Sequence, residues 1–600
     1  MSEAAAHVRQ LLGRTEYLQA FDAADRALDD AVDDAELQHL AVLALARAGA
    51  TDTAAERLRS SGLLERADQL AVGLAEDVFA LEARIAKDRA TAASSDRRGA
   101  LAEVAARTYE SVFERFRRTY TGVNAATMWC VAGDVARSRR LAAEVLDILA
   151  DTGDGAPIDW SDDYWSAATR GEALLLLGDI AGAQRALVAA SDCGADIASR
   201  ASTRRQLALI CEVLDFEPTV LDALAVPVVI HFCGHLPTGA AGTAGRLRGP
   251  DERRVAREIQ ALIARCGDVI AHGSLAAGAD ILIAEAILAS GGELHVVLPF
   301  PAEQFVETSV AGAGEGWTAR FHSCLTRAAS VTVVTGGRQG DDDAAYAYCS
   351  SIAMGGALVR ARFMASRAEQ LAVWDGRPTT REAGTAADID RWRKTGLLST
   401  VVPVRPPSSN APLQVPVGPQ RTVRALLFAD VKGFSSLVDQ QIPAFVSGVL
   451  APLSGELCAA GVGYRNGWGD ALYVVLDDVG AGAEVALRLQ EVMAGIDVLE
   501  LGLPLTLKLR IGLHAGPVFV LHDPVREEIS YFGEHVTRAA RIEPVAPPGA
   551  VFVTEAFAAL LALERPDGFV CEYVGRVPTA KSFGPIPMYL LRRNLSAVPT

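Results

Sequence analysis

The chain has 600 residues and a formal net charge of −17, with 50% hydrophobic and 22% charged residues. That composition is globular, and the length implies three or four domains. Its acidity excludes broad nucleic-acid binding by bulk charge and leaves room only for local basic pockets. Nine scattered cysteines form no CxxC pair and no metal-ligand spacing, so they read as reduced thiols of a cytosolic protein. The first residues, MSEAAAHVRQLLGR, place charges where a signal peptide needs an apolar core. No uncharged apolar run approaches the roughly 20 residues that span a bilayer. The expectation is a soluble, cytoplasmic chain with neither membrane nor nucleic acid among its partners.

Residues 1–220 are rich in Ala, Leu, Arg and Glu, with apolar residues three and four apart, which predicts helices throughout. Two segments look alike. One is NAATMW (124–129) followed by Gly133 and Asp134; the other is WSAAT (165–169) followed by Leu177, Gly178, Asp179 and Ala183. In each, a helix with a small-residue patch meets a Gly-Asp turn and a second helix. This resembles tetratricopeptide-like repeats in degenerate form, whose stacks offer a concave surface for a protein partner. A helical bundle that only packs on its neighbours fits the same pattern.

Near Val226 the texture changes. The run VPVVIHF (226–232) suits a buried strand and ends at CGH (233–235). A charged helix (252–265), a short strand at 269–271, the turn GSLAAGAD (273–280), a helix (281–288) and the strand HVVLPF (295–300) follow, with further strands at 330–334 and 370–374. Alternating strands and helices predict a parallel sheet covered on both faces, over 226–404. Gly234, Gly273, Gly278 and Asp280 fall at the carboxyl ends of strands, where backbone N–H groups can hold phosphate. The GxxxxGAD and LPF segments resemble the SLOG-like family of Rossmannoid nucleotide sensors, which implies a nucleotide ligand here. Glycine turns are also needed simply to join strands to helices. Residues 405–420, including PPSSNAPLQVPVGPQ, read as a linker.

From residue 421 the sequence carries chemistry. The strand in ALLFADVKGFSSL (425–437) delivers Asp430, and GYRNGWGD (463–470) reads as a hairpin that sets Asp470 beside it. Two adjacent carboxylates stay ionised together only with a cation, and oxygen donors with a triphosphate suit Mg²⁺ or Mn²⁺. LRIGLHAGP (509–517) is another strand ending in a glycine turn. FGEHVTRAARIE (532–543) opens a helix on which Thr537 and Arg541, four apart, share a face. TAKSFG (579–584) precedes a last strand at 587–591.

In this order and spacing the motifs resemble the class III adenylate/guanylate cyclase catalytic domain, over 421–592. The resemblance implies a ferredoxin-like α/β domain that works as a homodimer on an NTP substrate, with two divalent metal ions. It makes Asp430, Asp470 and the Val431 carbonyl the metal holders, Arg541 the transition-state cation, and Arg510 and Lys581 the triphosphate cations. Thr537 stands where the family has a ribose-positioning Asn. The base readers depart from the purine pattern: Asn466 replaces a Lys, and Ser530 an Asp or Thr. Tyr464, Arg465 and Tyr531 flank them. Intact metal positions with altered base readers are similar to the pyrimidine cyclases of bacterial antiphage (Pycsar) signalling, which implies a UTP or CTP substrate. ATP remains the alternative, and a scaffold whose cyclase domain only dimerises is a second. The expected fold is therefore all-α repeats, then an α/β Rossmann-like sheet, then an α+β ferredoxin-like domain.

Overall fold

The N-terminal region is helical, and its expected Gly-Asp turns are present. Gly133 (φ +92) and Gly178 (φ +88) adopt the left-handed conformation that ends a helix. Asp134 and Asp179 then start the next helix, accepting from Arg137 N at 3.0 Å and Gly182 N at 2.8 Å. The helix pairs Thr119–Ala132 with Val135–Ala150, and Asp163–Leu177 with Ile180–Asp192, follow from these turns. The computed structural model describes residues 3–13, 17–91, 93, 95–150, 163–195, 197–237, 247, 249–338, 343–405, 421–565, 567–577 and 586–594.

Two compact units divide the chain. One joins 1–226 to 572–600; the other is 227–571. In this division the last residues of the 421–592 segment group with the N-terminal helices, and 226–404 groups with the rest of that segment. Within the first unit the reason is a close approach. Helix Ala35–Arg47 ends in a turn at Gly49 (φ +76), where a Cβ would lie 2.1 Å from Leu590 Cδ2 and 2.7 Å from Arg592 Nη2. Only glycine lets Leu590 rest on that backbone.

The second unit contains two sheets. The first has six parallel strands: β1 (Val228–Gly234), β2 (Val269–Gly273), β3 (Glu293–Leu298), β4 (Ser330–Val333), β5 (Ala368–Trp374) and β6 (Ser399–Pro403). Their order is β4-β3-β2-β1-β5-β6. The near-continuous apolar runs of β1 and β5 are buried, as strands covered on both faces must be. Chain direction across the sheet reverses between β1 and β5, so a crevice opens at their carboxyl ends.

The second sheet is built from β7 (Arg421–Lys432), β8 (Tyr464–Trp468), β9 (Ala471–Leu476), β10 (Lys508–Asp523), β11 (Glu528–Phe532) and β12 (Val551–Thr554). Four strands run β10-β7-β9-β8 with antiparallel neighbours. One helical stretch links β7 to β8 and another, Val479–Gly495, links β9 to β10, which is the ferredoxin-like β-α-β-β-α-β order. The stretch Asp439–Ala459 is, by length and composition, apolar enough to cross a membrane. Its buried side chains are Phe445, Val449, Leu453 and Leu457, one every four residues. That spacing is a single helical face packed on the domain, with Phe445 against Phe434.

The two sheets share a helix pair. Asp343–Phe363 crosses Glu555–Glu564 so closely that a Cβ on Gly355 would fall 1.9 Å from the Ala559 carbonyl oxygen. Tyr348 on the first helix also donates to Ala515 O at 2.8 Å.

Candidate active site

Asp430 and Arg510 face each other directly on β7 and β10. Arg510 Nε donates to Asp430 Oδ1 at 2.7 Å, Nη2 donates to Oδ2, and Nη1 donates to Pro544 O at 3.0 Å. This is a two-pronged guanidinium–carboxylate pair. Burial works to raise the Asp430 pKa, but Arg510 outweighs it and holds the carboxyl below its ordinary value. Asp470 follows Gly469, whose φ of +63 makes the tight turn from β8 to β9. Its carboxyl is raised by burial and by the charge of Asp430, while the Val431 N–H hydrogen-bonds it. The fold thus brings Asp430, Val431 and Asp470 together.

Glu543 joins them and was not anticipated. Its carboxylate approaches Arg510 Nε to 3.3 Å, and burial plus the neighbouring Asp430 push its pKa up to about 8. Nothing in the sequence marks it except its place two residues after Arg541. Arg541 stands in the turn after helix Glu534–Ala539, not on it. The helix ends early, so the expected shared face with Thr537 is lost; Thr537 is exposed on the helix, and Arg541 is half-buried. Lys581 lies outside the described residues.

Among the described residues no three His, Cys, Asp or Glu side chains converge as metal ligands. The two carboxylates and the Val431 carbonyl are nevertheless hard oxygen donors. The mutual repulsion of Asp430 and Asp470 marks a place for positive charge, now supplied by Arg510. Mg²⁺ commonly takes one or two carboxylates and completes its shell with substrate phosphates and water.

Residues 419–593 match the family model of the adenylate and guanylate cyclase catalytic domain. The chain carries a class III cyclase domain. Residues 16–129 match a second model, Tetratricopeptide Repeats-Sensor, which reaches the end of the first look-alike segment, NAATMW, and stops before the second. An adenylate cyclase of Streptomyces coelicolor is 30% identical over 145 residues, 24% of this chain and 35% of that protein. One of Streptomyces griseus is 30% identical over 135 residues, 22% of this chain and 31% of that one. The matched segment therefore spans about a third of each relative. Among solved structures, the adenylyl cyclase CyaB from P. aeruginosa is 19% identical, covering 29% of this chain and 94% of that chain, with a TM-score of 0.26.

In the cyclase domain the two positions expected to read the base differ in their surroundings. Asn466 is exposed on β8, across from Tyr473 on β9. Ser530 is buried on β11, and its Oγ is 2.8 Å from the Tyr464 hydroxyl. Tyr464 in turn meets Tyr473 and Tyr531 edge-on, at 5.5 and 5.1 Å, and Phe428 stacks on Tyr473 at 4.5 Å. Tyr473 and Phe428 escaped the sequence reading. Their signal is the two-residue alternation of β7 and β9, which places them on one sheet face.

A histidine pair lies beneath the Thr537 helix. His514 Nε2 is 2.9 Å from His535 Nδ1, and His514 Nδ1 is 2.8 Å from Thr554 Oγ1. Both rings are buried, and burial drives both pKa values down, His535 to about 3. Gly516 makes room, because a Cβ there would sit 2.2 Å from His535 Nδ1. Tyr348 of the neighbouring sheet meets His535 edge-on at 5.7 Å.

The other predicted site, at the first sheet, reads differently in three dimensions. The space on the Cβ side of its glycines is occupied by neighbouring residues. A Cβ on Gly234 would lie 2.3 Å from Ala279 Cβ, on Gly273 2.6 Å from Phe232 Cζ, and on Gly278 (φ +97) 2.7 Å from His235 O. Asp280 Oδ2 accepts from Ala276 N at 3.2 Å, so a carboxylate takes an amide that a phosphate would need. These close approaches require glycine at all three positions, and Gly234 and Asp280 also line a pocket. A cavity of about 430 Å³ does open beside them at the crevice between β1 and β5, with His235, Arg377 and Asp388 in its wall.

Proposed function

We propose that the cyclase domain converts a nucleoside triphosphate into a 3′,5′-cyclic nucleotide and pyrophosphate. The observation that carries this reading is the gathering of Asp430, Val431 and Asp470 around one point, with Arg510 supplying positive charge there. Asp430, Asp470 and the Val431 carbonyl would hold Mg²⁺ or Mn²⁺, which supplies charge neutralisation at the triphosphate and activation of the ribose 3′-oxygen. Arg510 exchanges its carboxylate partner for phosphate oxygens, for which its fork is equally suited. Arg541 stabilises charge at the α-phosphate, and Lys581 grips the triphosphate. Thr537 orients the ribose.

Two chains pair as a homodimer through this domain, so that each site is completed by its partner. The substrate is a pyrimidine nucleotide, UTP or CTP. Support comes from the cluster of Tyr464, Tyr473, Tyr531 and Phe428, which crowds the place where a base would lie, and from Ser530, whose hydroxyl is engaged by Tyr464. Asn466, exposed on its hairpin, offers both a donor and an acceptor to the base edge. The 30% identity to two adenylate cyclases favours ATP as the second reading. Cyclic UMP or CMP would serve as a second messenger in antiphage defence. In this scheme the Rossmann-like sheet holds a regulatory nucleotide in its crevice, the helical repeats receive a protein partner, and the protein works in the cytoplasm.

The test is incubation of the full chain with equimolar ATP, GTP, CTP and UTP and Mn²⁺, read by mass spectrometry. Cyclic UMP or CMP as main product is expected, and Asp470→Asn should abolish it without altering the melting temperature by more than a few degrees. Absence of every cyclic nucleotide from a confirmed dimer would overturn the reading.

A further inference from the structure

A second cavity of about 430 Å³ opens among the helices of the first unit. Four helices enclose it: Glu3–Gly13, Ala35–Arg47, Val72–Thr91 and Thr119–Ala132. Its volume falls in the range of small-molecule sites. His39 and Arg47, eight apart, share one helical face, as do Asp77 and Arg84, seven apart. Leucines from the first three helices form the apolar part of the wall, and Arg9 and Tyr120 complete the lining.

The cations of this wall are unequally compensated, and Arg47 is the one that the fold disfavours. Arg47 is half-buried and has no hydrogen-bond or ion-pair partner among the described residues. Burial, then the charge of Arg84, both disfavour its protonated form. Arg84 Nε is buried and donates no hydrogen bond; burial works against its charge, but the Asp88 carboxylate 3.7 Å away and the tyrosines around it outweigh burial and hold its pKa up. Arg9 is held by Glu36. His39 is buried and kept neutral by burial and by Arg9 and Arg47, with a pKa of about 4. Asp77 is the one acidic group in the wall. A chain of net charge −17 has thus drawn two guanidinium groups to one pocket, where Arg84 has Asp88 as its counter-charge and Arg47 has no acceptor among the described residues. Unpaired buried charge is costly and persists when something outside the fold compensates it.

We propose that this cavity binds a small organic anion, with a phosphate or carboxylate head between Arg47 and Arg84 and an apolar body against the leucine wall. The guanidinium fork suits both head groups. The site is independent of the cyclase chemistry and lies in the segment that matches the repeat-sensor model. Its occupant would fix helix Ala35–Arg47, whose terminal turn at Gly49 carries Leu590 and Arg592.

The experiment is calorimetric titration of the full chain with phenyl phosphate, benzoate and benzyl alcohol. One of the two anions should bind at least tenfold more tightly than the neutral alcohol, and comparison of the two identifies the preferred head group. Arg47→Gln and Arg84→Gln should each weaken that binding at least tenfold, while Arg59→Gln, an exposed control, should leave it unchanged. Because the two cations repel each other, Arg47→Gln should also keep or raise the melting temperature. Equal anion binding by Arg47→Gln and the natural chain, or binding lost on Arg510→Gln instead, overturns the proposal. So does a fall in melting temperature for Arg47→Gln, which would make the arginine structural.

Discussion

Replacing Gly355 by alanine tests the contact that joins the two sheets of the second unit. In a helix interior this change ordinarily stabilises by about 0.5–1 kcal/mol, because glycine loses more backbone entropy. Here the new methyl would lie 1.9 Å from Ala559 O, 2.3 Å from Ala559 C and 2.6 Å from Ala559 Cα, all backbone atoms. Ordinary contact begins near 3.4 Å, so the two helices must part by roughly 3.4 − 1.9 = 1.5 Å. No side-chain rotation relieves the clash. Overpacking of this kind costs about 1–3 kcal/mol, and a backbone-to-backbone collision belongs at the upper end. After subtracting the helix gain, Gly355→Ala should destabilise the chain by about 2 kcal/mol. Gly455, inside helix Ala451–Ala459 with nothing within 4 Å of its Cβ position, is the control, and Gly455→Ala should stabilise by about 0.5–1 kcal/mol. Urea unfolding gives both numbers, and hydrogen exchange should quicken along 343–363 and 555–564 in the first variant only. If Gly355→Ala gains stability as Gly455→Ala does, the helices are not in backbone contact and the reasoning fails.

Three further outcomes are expected. Gly49→Ala combines a positive φ with a 2.1 Å approach to Leu590, and urea unfolding should show a loss of roughly 2–4 kcal/mol; a loss under 0.5 would dissociate the last strand from that turn. His39, with its pKa lowered to about 4, stays neutral in the fold while the unfolded chain takes up a proton below pH 6.5. Its contribution is therefore absent above pH 6.5 and erodes stability as pH falls toward 4, by about 2 kcal/mol at pH 5; the difference between pH 7 and pH 5 should shrink by that amount in His39→Gln. Arg510→Gln leaves Asp430 facing Asp470 and Glu543 without its cation. Its melting temperature in EDTA should fall, and Mn²⁺ should restore it by more than Mn²⁺ raises the natural chain; equal increments would show that Arg510 does not stand in for a metal.

The sequence by itself determined many of the elements and singled out the expected site residues, because those signals are local. A strand ending in Asp430, a glycine hairpin before Asp470 and a strand holding Arg510 each declare themselves within a dozen residues. The Gly-Asp turns of the repeats and the alternation of strand and helix in 226–404 do the same. Tertiary structure alone decided how these positions meet. Arg510 and Asp430 are 80 residues apart, Tyr464 and Ser530 are 66 apart, and neither pairing follows from any periodicity. Thr537 and Arg541 looked like neighbours on one helix until the helix ended at Ala539. The glycines of the first sheet are fixed by neighbours that come from other elements, Ala279 beside Gly234 and Phe232 beside Gly273. The repeat segment gave no sign that Arg47 and Arg84, from separate helices, would line one pocket. Local sequence specifies which backbone a residue rides on; which charge it faces, and whether space remains beside it, depends on chain segments that only close packing brings together.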